Sequence, residues 1–253
     1  DHRDLHSFPT RRSSDLHWDG NQVWFITAGG AIFAAWPLVY ATAFSGLYWA
    51  LLLVLFALFF RPVGFEYRSK LPKPAWRKGW DWGLFAGSAV PALVFGVAFG
   101  NLFQGVPFDL DDSMRSSYTG SFWALLNPFA LLCGVVSLSL LTLQGATFLS
   151  HRVEGALQRR AMSAARAAAV VLLVSFSLAG IWVARLNGYV LESIPDVRGV
   201  LTPLMKEVGR SPGAWFANFN NFPQLWLIPV LAYAGAGLVL AVIGSGWTLT
   251  AFV

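Results

Sequence analysis

Five stretches of this chain contain no Asp, Glu, Lys or Arg: 20–60, 82–108, 116–151, 167–184 and 211–253. A helix that crosses a bilayer core needs about 20 mostly apolar residues, so each stretch holds one crossing or close to it. In lipid every backbone N–H and C=O must find its partner within the protein. Apolar runs of this length therefore predict helices and not barrel strands, which need only about ten residues. Charged residues make up 12% of the 253 residues, about half the share of a soluble domain. The 12 Trp and 21 Phe suit membrane–water interfaces. The fold class expected is all-α: a polytopic transmembrane bundle of about six to seven helices. One cysteine excludes a disulfide framework or a thiolate metal cluster.

The first charge-free stretch is long enough for more than one crossing. Pro37 divides it into a short apolar piece over 24–36 and a full-length span over 38–60. The last stretch predicts a span over 223–243, and 247–253 reads as the start of another. The connections between them differ in charge: 61–81 is +4, 109–115 is −2, 152–166 is +3 and 185–210 is +1. One helix separates each from the next, and Lys- and Arg-rich loops stay on the cytoplasmic side. Loops 61–81 and 152–166 are thus expected inside the cell, and 109–115 and 185–210 in the periplasm. The net charge of +5 is a topology signal on this reading, and no nucleic-acid partner is expected. The stretch 185–221 is the one sizeable soluble excursion, with Pro195, Pro203 and Pro212 breaking helical continuity. Gly83/Gly87 and Gly96/Gly100 form two small-xxx-small pairs on one expected helix, a pattern that lets helices approach closely. No internal repeat is evident, so the inverted-repeat argument for a transporter is lacking.

Residues 1–16, DHRDLHSFPTRRSSDL, are polar and aperiodic. They contain Arg11 and Arg12 but no apolar core, which fits no secretory signal peptide. One reading frame of a common sequencing adapter translates to this string. The segment is expected to be an artefactual, disordered addition, with the membrane domain over 17–253. Removing it takes away three basic and three acidic residues, so the +5 stands.

Few residues could carry chemistry. Asp19, in H-W-D-G-N-Q-V-W, immediately precedes an apolar run with no other charged residue until Arg61. Ionisable groups at membrane depth line proton or ion paths or pair with a counter-charge; a carboxylate there can equally cap a helix start. Arg61 closes the 38–60 span. It is either a positive anchor snorkelling to the headgroups or a fixed guanidinium that pairs with an acid inside a complex. Gln22, Asn101, Gln104, Asn127 and Gln144 are expected to join helices by hydrogen bonds. Cys133 reads as a small hydrophobe. A haem in a helix bundle needs axial His, Met, Cys or Tyr ligands. Here His17 and His151 lie at segment edges, while Met114, Met162 and Met205 lie in or beside loops. No metal-ligand spacing, Walker loop or dinucleotide fingerprint occurs. The chain reads as a supporting or conducting membrane subunit without a metal or redox centre of its own.

The motifs HWDGNQVWFITAGGAIFAAWP (17–37), FFRPVGFEYRSK (59–70), WDWG (80–83) and GVAFGNLFQGVPF (96–108) resemble subunit II of the cytochrome bd quinol oxidases. So do LNPF (126–129), TLQGAT (142–147), NGY (187–189) and AWFANFNN (214–221), in family order over nearly all of 17–253. The ubiquinol-oxidising, proteobacterial type is the nearest in appearance. The resemblance implies a complex with subunit I, which carries haems b and d and the quinol site, and which oxidises quinol and reduces dioxygen to water. It implies no catalytic residue in this chain. Asp19 corresponds to an acid on the proposed proton route, Trp24 to a residue near the proposed oxygen path, and Arg61 to a buried arginine near that acid and the subunit interface. A structural quinone and membrane lipids are further ligands to consider. Family members carry a helix before the H-W-D-G-N motif and more helices beyond Val253, so the chain is expected to be truncated at both ends. The inner membrane of a bacterium is the expected location. A polytopic transporter and a purely structural assembly subunit stand as alternatives.

Overall fold

The computed structural model describes residues 13–113, 115–193 and 207–244. It divides into two compact units, one from Asp1–Tyr48 and Pro107–Gly120, the other from Trp49–Val106 and Ser121–Val253. Among the described residues there are eight α-helices and two small antiparallel hairpins. Five helices are long and apolar enough to cross a membrane, and a sixth crossing is present if one bent pair is counted. The six to seven helices expected fall between these crossings and the total.

The first unit contains α1 (Ser13–Ala35), α2 (Pro37–Gly46), β1 (Phe108–Leu110) and β2 (Ser116–Tyr118). Helix α1 takes in 13–16, the end of the segment set aside above; residues 1–12 lie outside the described residues. Pro37 disfavours the helical region for the residue before it, and Trp36 accordingly leaves it (φ −138°, ψ 69°). Proline then occupies the first position of α2, where its missing N–H costs nothing. The helical pieces Ile26–Ala35 and Pro37–Gly46 meet at a 119° bend. Each is about 15 Å long, half a bilayer core, so together they make a broken span or a re-entrant loop. Phe33 and Tyr40 close the bend edge to face at 5.2 Å. In the hairpin, Asp111 Oδ1 accepts from the N–H groups of Ser113 (2.9 Å) and Arg115 (2.8 Å), so one acid of the −2 loop builds the turn between β1 and β2.

The expected helix over 38–60 is not one helix. Helix α2 ends at Gly46, the Leu47 N–H closing on Ala43 O, and α3 runs over Tyr48–Tyr67. Glycine has poor helix propensity, and it sits where α2 stops. Nor does Pro62 end α3. It removes one backbone hydrogen bond, a loss that helices packed in membranes tolerate.

The second unit contains α3, α4 (Pro74–Gln104), α5 (Pro128–Arg152), α6 (Gly155–Val183), β3 (Asn187–Ser193), β4 (Glu207–Pro212), α7 (Ala217–Asn221) and α8 (Leu227–Gly244). The expected spans inside 82–108, 116–151 and 167–184 are α4, α5 and α6. The last span is Pro223–Val242, beginning in a 3-10 turn and continuing as α8. The charged connections are shorter than expected. Most of 61–81 and 152–166 is helix, because the 31 residues of α4 and 29 of α6 reach about 45 Å, well beyond a core of about 30 Å. Their surplus turns carry Arg77, Lys78, Asp81, Arg159 and Arg160. The excursion 185–221 is organised by the β3–β4 hairpin; Pro195 and Pro203 lie outside the described residues.

Helix α4 is gripped on two sides. Gly83 and Gly87 lie one turn apart, as do Gly96 and Gly100; from Gly87 to Gly96 is nine residues, or half a turn out of phase at 100° per residue. The two pairs therefore sit on opposite faces. A Cβ at Gly87 would lie 2.7 Å from Ala57 O of α3, and one at Gly100 would lie 2.6 Å from Ala130 Cα of α5. At Gly96 a Cβ would collide with the carbonyl oxygen of Cys133. Close backbone approach through small residues is how membrane helices gain packing contacts. Helices α5, α6 and α8 then share an alanine-rich core of Leu143, Ala146, Ala165, Ala168, Ala169, Leu172, Ala236 and Val239. Between α6 and α8, Ser177 Oγ and Tyr233 Oη are hydrogen-bonded at 2.8 Å.

Candidate functional site

Asp19 and Trp24 share helix α1. Five residues separate them, about 7.5 Å along the axis and 140° around it. Trp24 is 76% exposed, open to a neighbour or to lipid. The Asp19 side chain lies outside the described residues, but its backbone does not. Asp19 lies within α1, which is described from Ser13; the residues of α1 ahead of the H-W-D-G-N motif belong to the segment set aside above.

Arg61 lies in the other unit, on α3. It does not close its helix: α3 continues for six residues to Tyr67, about 9 Å further. Its Nε is withdrawn from solvent. Gly87 of α4 packs onto the same turn, and a Cβ there would approach Arg61 Cγ to 3.2 Å and Phe60 Cβ to 3.3 Å. The arginine stem is therefore held between two helices, which restricts where the guanidinium can go. Beyond it, Arg68 grips Asp81 through Nε–Oδ1 at 2.5 Å and Nη2–Oδ2 at 3.3 Å, and Trp76 Nε1 donates to Tyr67 O at 2.9 Å. These contacts fix the α3–α4 corner on which the Arg61 turn rests.

Two of the five amides do join elements. Asn101 is buried on α4. Its Nδ2 donates to Val97 O (2.9 Å) and to Leu125 O (2.7 Å), and its Oδ1 accepts from Asn127 Nδ2 (3.1 Å). Asn127 in turn caps α5, its Oδ1 accepting from the Ala130 N–H at 2.8 Å. The amide pair ties the end of α4 to the start of α5. Asn101→Ala is expected to leave Leu125 O and the Asn127 amide without these partners, costing about 1–2 kcal/mol. A thermal unfolding midpoint in detergent equal to that of the parent protein would contradict this.

A cluster that sequence reasoning missed sits at the same end. Gly105 terminates α4 with φ +84°, a region only glycine enters freely, and it lies directly against the Tyr189 hydroxyl. Arg210 Nη2 donates to that hydroxyl at 3.2 Å and its guanidinium covers the ring at 5.2 Å. Trp215 packs edge to face on Phe103 at 5.0 Å and on Tyr189 at 6.1 Å. The NGY motif was the available signal, but nothing in spacing paired it with Arg210 across a hairpin. The cluster locks β3–β4 to the end of α4.

No group of three His, Cys, Asp or Glu gathers among the described residues. His151 is exposed in the last turn of α5. Met162, expected in or beside a loop, is instead within α6 and packed against its core. Met114 and Met205 lie outside the described residues.

A family model described as cytochrome bd terminal oxidase subunit II matches residues 11–253. The chain is 60% identical over 216 residues to cytochrome bd-I ubiquinol oxidase subunit 2 of Escherichia coli, covering 85% of this chain and 57% of that protein. It is 58% identical over 220 residues to the probable cytochrome oxidase subunit 2 of Haemophilus influenzae, covering 87% and 58%. Cytochrome bd ubiquinol oxidase subunit 2 of Bacillus subtilis is 40% identical over 158 residues, covering 62% and 46%. The chain thus spans a little under three fifths of the length of the first two relatives.

Proposed function

Because this chain belongs to the cytochrome bd terminal oxidase subunit II family, we propose that it is the second subunit of a quinol oxidase in the bacterial inner membrane. The match over residues 11–253 carries this reading, together with helices of spanning length. Its partner is subunit I, and the complex oxidises quinol and reduces dioxygen to water. Haems b and d, held by subunit I, would supply the electron transfer and the oxygen chemistry. The contribution of this chain is access. Asp19 binds and releases protons on a route toward the partner. Trp24 lines the oxygen path or the interface beside it, and Arg61, clamped at Gly87, sets the electrostatic potential along the route. A structural quinone belongs to the same proposal without assigned residues.

Loops 61–81 and 152–166 face the cytoplasm in this reading, where protons are taken up, and 109–115 and 185–210 face the periplasm. The antiparallel order of α4, α5 and α6 supports it. The α4 end at Gly105, the α5 start at Asn127 and the β3–β4 hairpin share one end, while residues 153–154 lie at the other.

Co-purification of the full-length chain with a haem-bearing partner, with a haem d absorption band, is the expected result. Recovery of the full-length chain alone, with solute transport and no haem partner, would overturn the reading. Arg61→Ala is expected to weaken assembly or shift the haem spectrum. A normal spectrum and normal activity would leave Arg61 as a topology anchor.

A further inference from the structure

Helices α5 and α6 leave an open groove of about 690 Å³ on their outer side. Leu131 and Val135 line one wall, one turn apart on α5. Leu178, Ile181 and Trp182 line the other, and Arg185 follows on the same face of the chain. The spacing 178, 181, 182, 185 is the i, i+3, i+4, i+7 pattern of a single helical face. Apart from Arg185 the wall is aliphatic and aromatic. These side chains are exposed: Leu178 by 52%, Ile181 by 59% and Leu131 by 42%.

The mouth of the groove lies at a defined depth. Helix α5 begins at Pro128 and α6 ends at Val183, both at this end of the pair, with Trp182 and Arg185 beside them. Trp and Arg at the ends of spans sit at headgroup level. The Arg185 N–H closes the last turn on Trp182 O at 2.9 Å, and its side chain is exposed. No carboxylate among the described residues forms an ion pair with it. An apolar trough running into the hydrocarbon, with one guanidinium at its polar mouth, matches a molecule that has an apolar tail and an anionic head.

We propose that this groove holds an acyl chain of an anionic phospholipid whose phosphate sits on Arg185. A guanidinium presents paired N–H donors to a phosphate, and an acyl chain fills the trough between Leu131, Val135, Leu178 and Ile181. A neutral lipid would leave the guanidinium unmatched, whereas a phosphate headgroup pairs with it while its tail covers the apolar wall. The charge therefore selects the occupant.

The test uses the full-length chain in its complex, in nanodiscs of mixed phosphatidylglycerol and phosphatidylcholine, with bound lipids counted by native mass spectrometry. The parent complex is expected to retain phosphatidylglycerol preferentially. Arg185→Gln is expected to lower that preference about fivefold, the factor for losing one cation at an anionic lipid surface, while Arg185→Lys keeps most of it. Val135→Trp, which fills the trough, is expected to expel the lipid whatever its headgroup. An Arg185→Gln complex with unchanged lipid selectivity would overturn the proposal. So would a protein segment occupying the groove, seen as loss of assembly in Val135→Trp with no change in bound lipid.

Discussion

Asp19→Asn in the full-length, haem-loaded complex is expected to slow oxygen reduction by about 10²-fold, the low end of what a positioned proton-transfer group contributes, with haem absorption bands unchanged. Asparagine keeps the size and hydrogen-bonding reach of the carboxylate but cannot take up and release a proton. The loss belongs to proton delivery, so electron entry from quinol and oxygen binding should proceed as before. An ionisable group next to a 41-residue stretch without charge is expensive to keep unless it moves protons or pairs with another charge. Turnover equal to that of the parent across pH would refute the relay.

Gly96→Ala is expected to reduce the yield of assembled complex by roughly tenfold, from an overpacking cost of about 1–3 kcal/mol. The new methyl group would meet the Cys133 carbonyl oxygen, Gly134 Cα at 2.7 Å and Ser137 Cβ at 2.7 Å. Two of these atoms are backbone, so the strain can be relieved only by moving α4 away from α5. Gly145→Ala on α5 is the matched control, because nothing lies within 4 Å of a Cβ there. That substitution also removes a poor helix former and should leave yield unchanged or slightly higher. Equal yields for the two variants, measured by size-exclusion chromatography after mild solubilisation, would show that α4 and α5 do not need this contact.

These two predictions draw on different parts of the sequence. The glycines were legible from spacing alone. Two i, i+4 pairs on one apolar segment signal close approach, and the offset of nine from Gly87 to Gly96 places the pairs on opposite faces. Spans α4, α5 and α6 were equally plain, because charge-free stretches of about one membrane thickness leave few other choices. The first stretch was misread for a physical reason. Hydropathy records what a residue dissolves in and not the direction of the chain, so the stop at Gly46 leaves no trace in a run that is apolar on both sides. Arg61 was read as closing a span, yet α3 continues past it and past Pro62 to Tyr67. The β3–β4 hairpin escaped because Asn187–Ser193 is short and mixed in character, and its partner strand lies beyond a long connection. Asp19 and Arg61 stood out as the charges that bound the first charge-free stretch, and Trp24 came from family resemblance; their chemistry depends on neighbours that a single chain does not encode as a pattern.

The order of contacts along the second unit bears on how it is made. Helix α4 packs on α3, α5 on α4 and α6 on α5, and α8 closes on α6 through the alanine core. Each span thus meets its partner among helices already synthesised. Pairing of chain neighbours keeps loop-closure costs low and folding fast. During translation, which adds about 5–20 residues per second, the Gly87 and Gly96 faces of α4 would be covered one after the other, α3 waiting when α4 emerges and α5 arriving next. A crowded substitution on the Gly96 face should therefore strand a completed α3–α4 pair, detectable as a protected fragment on ribosome-bound nascent chains, whereas one on the Gly87 face should stall the bundle a full helix earlier.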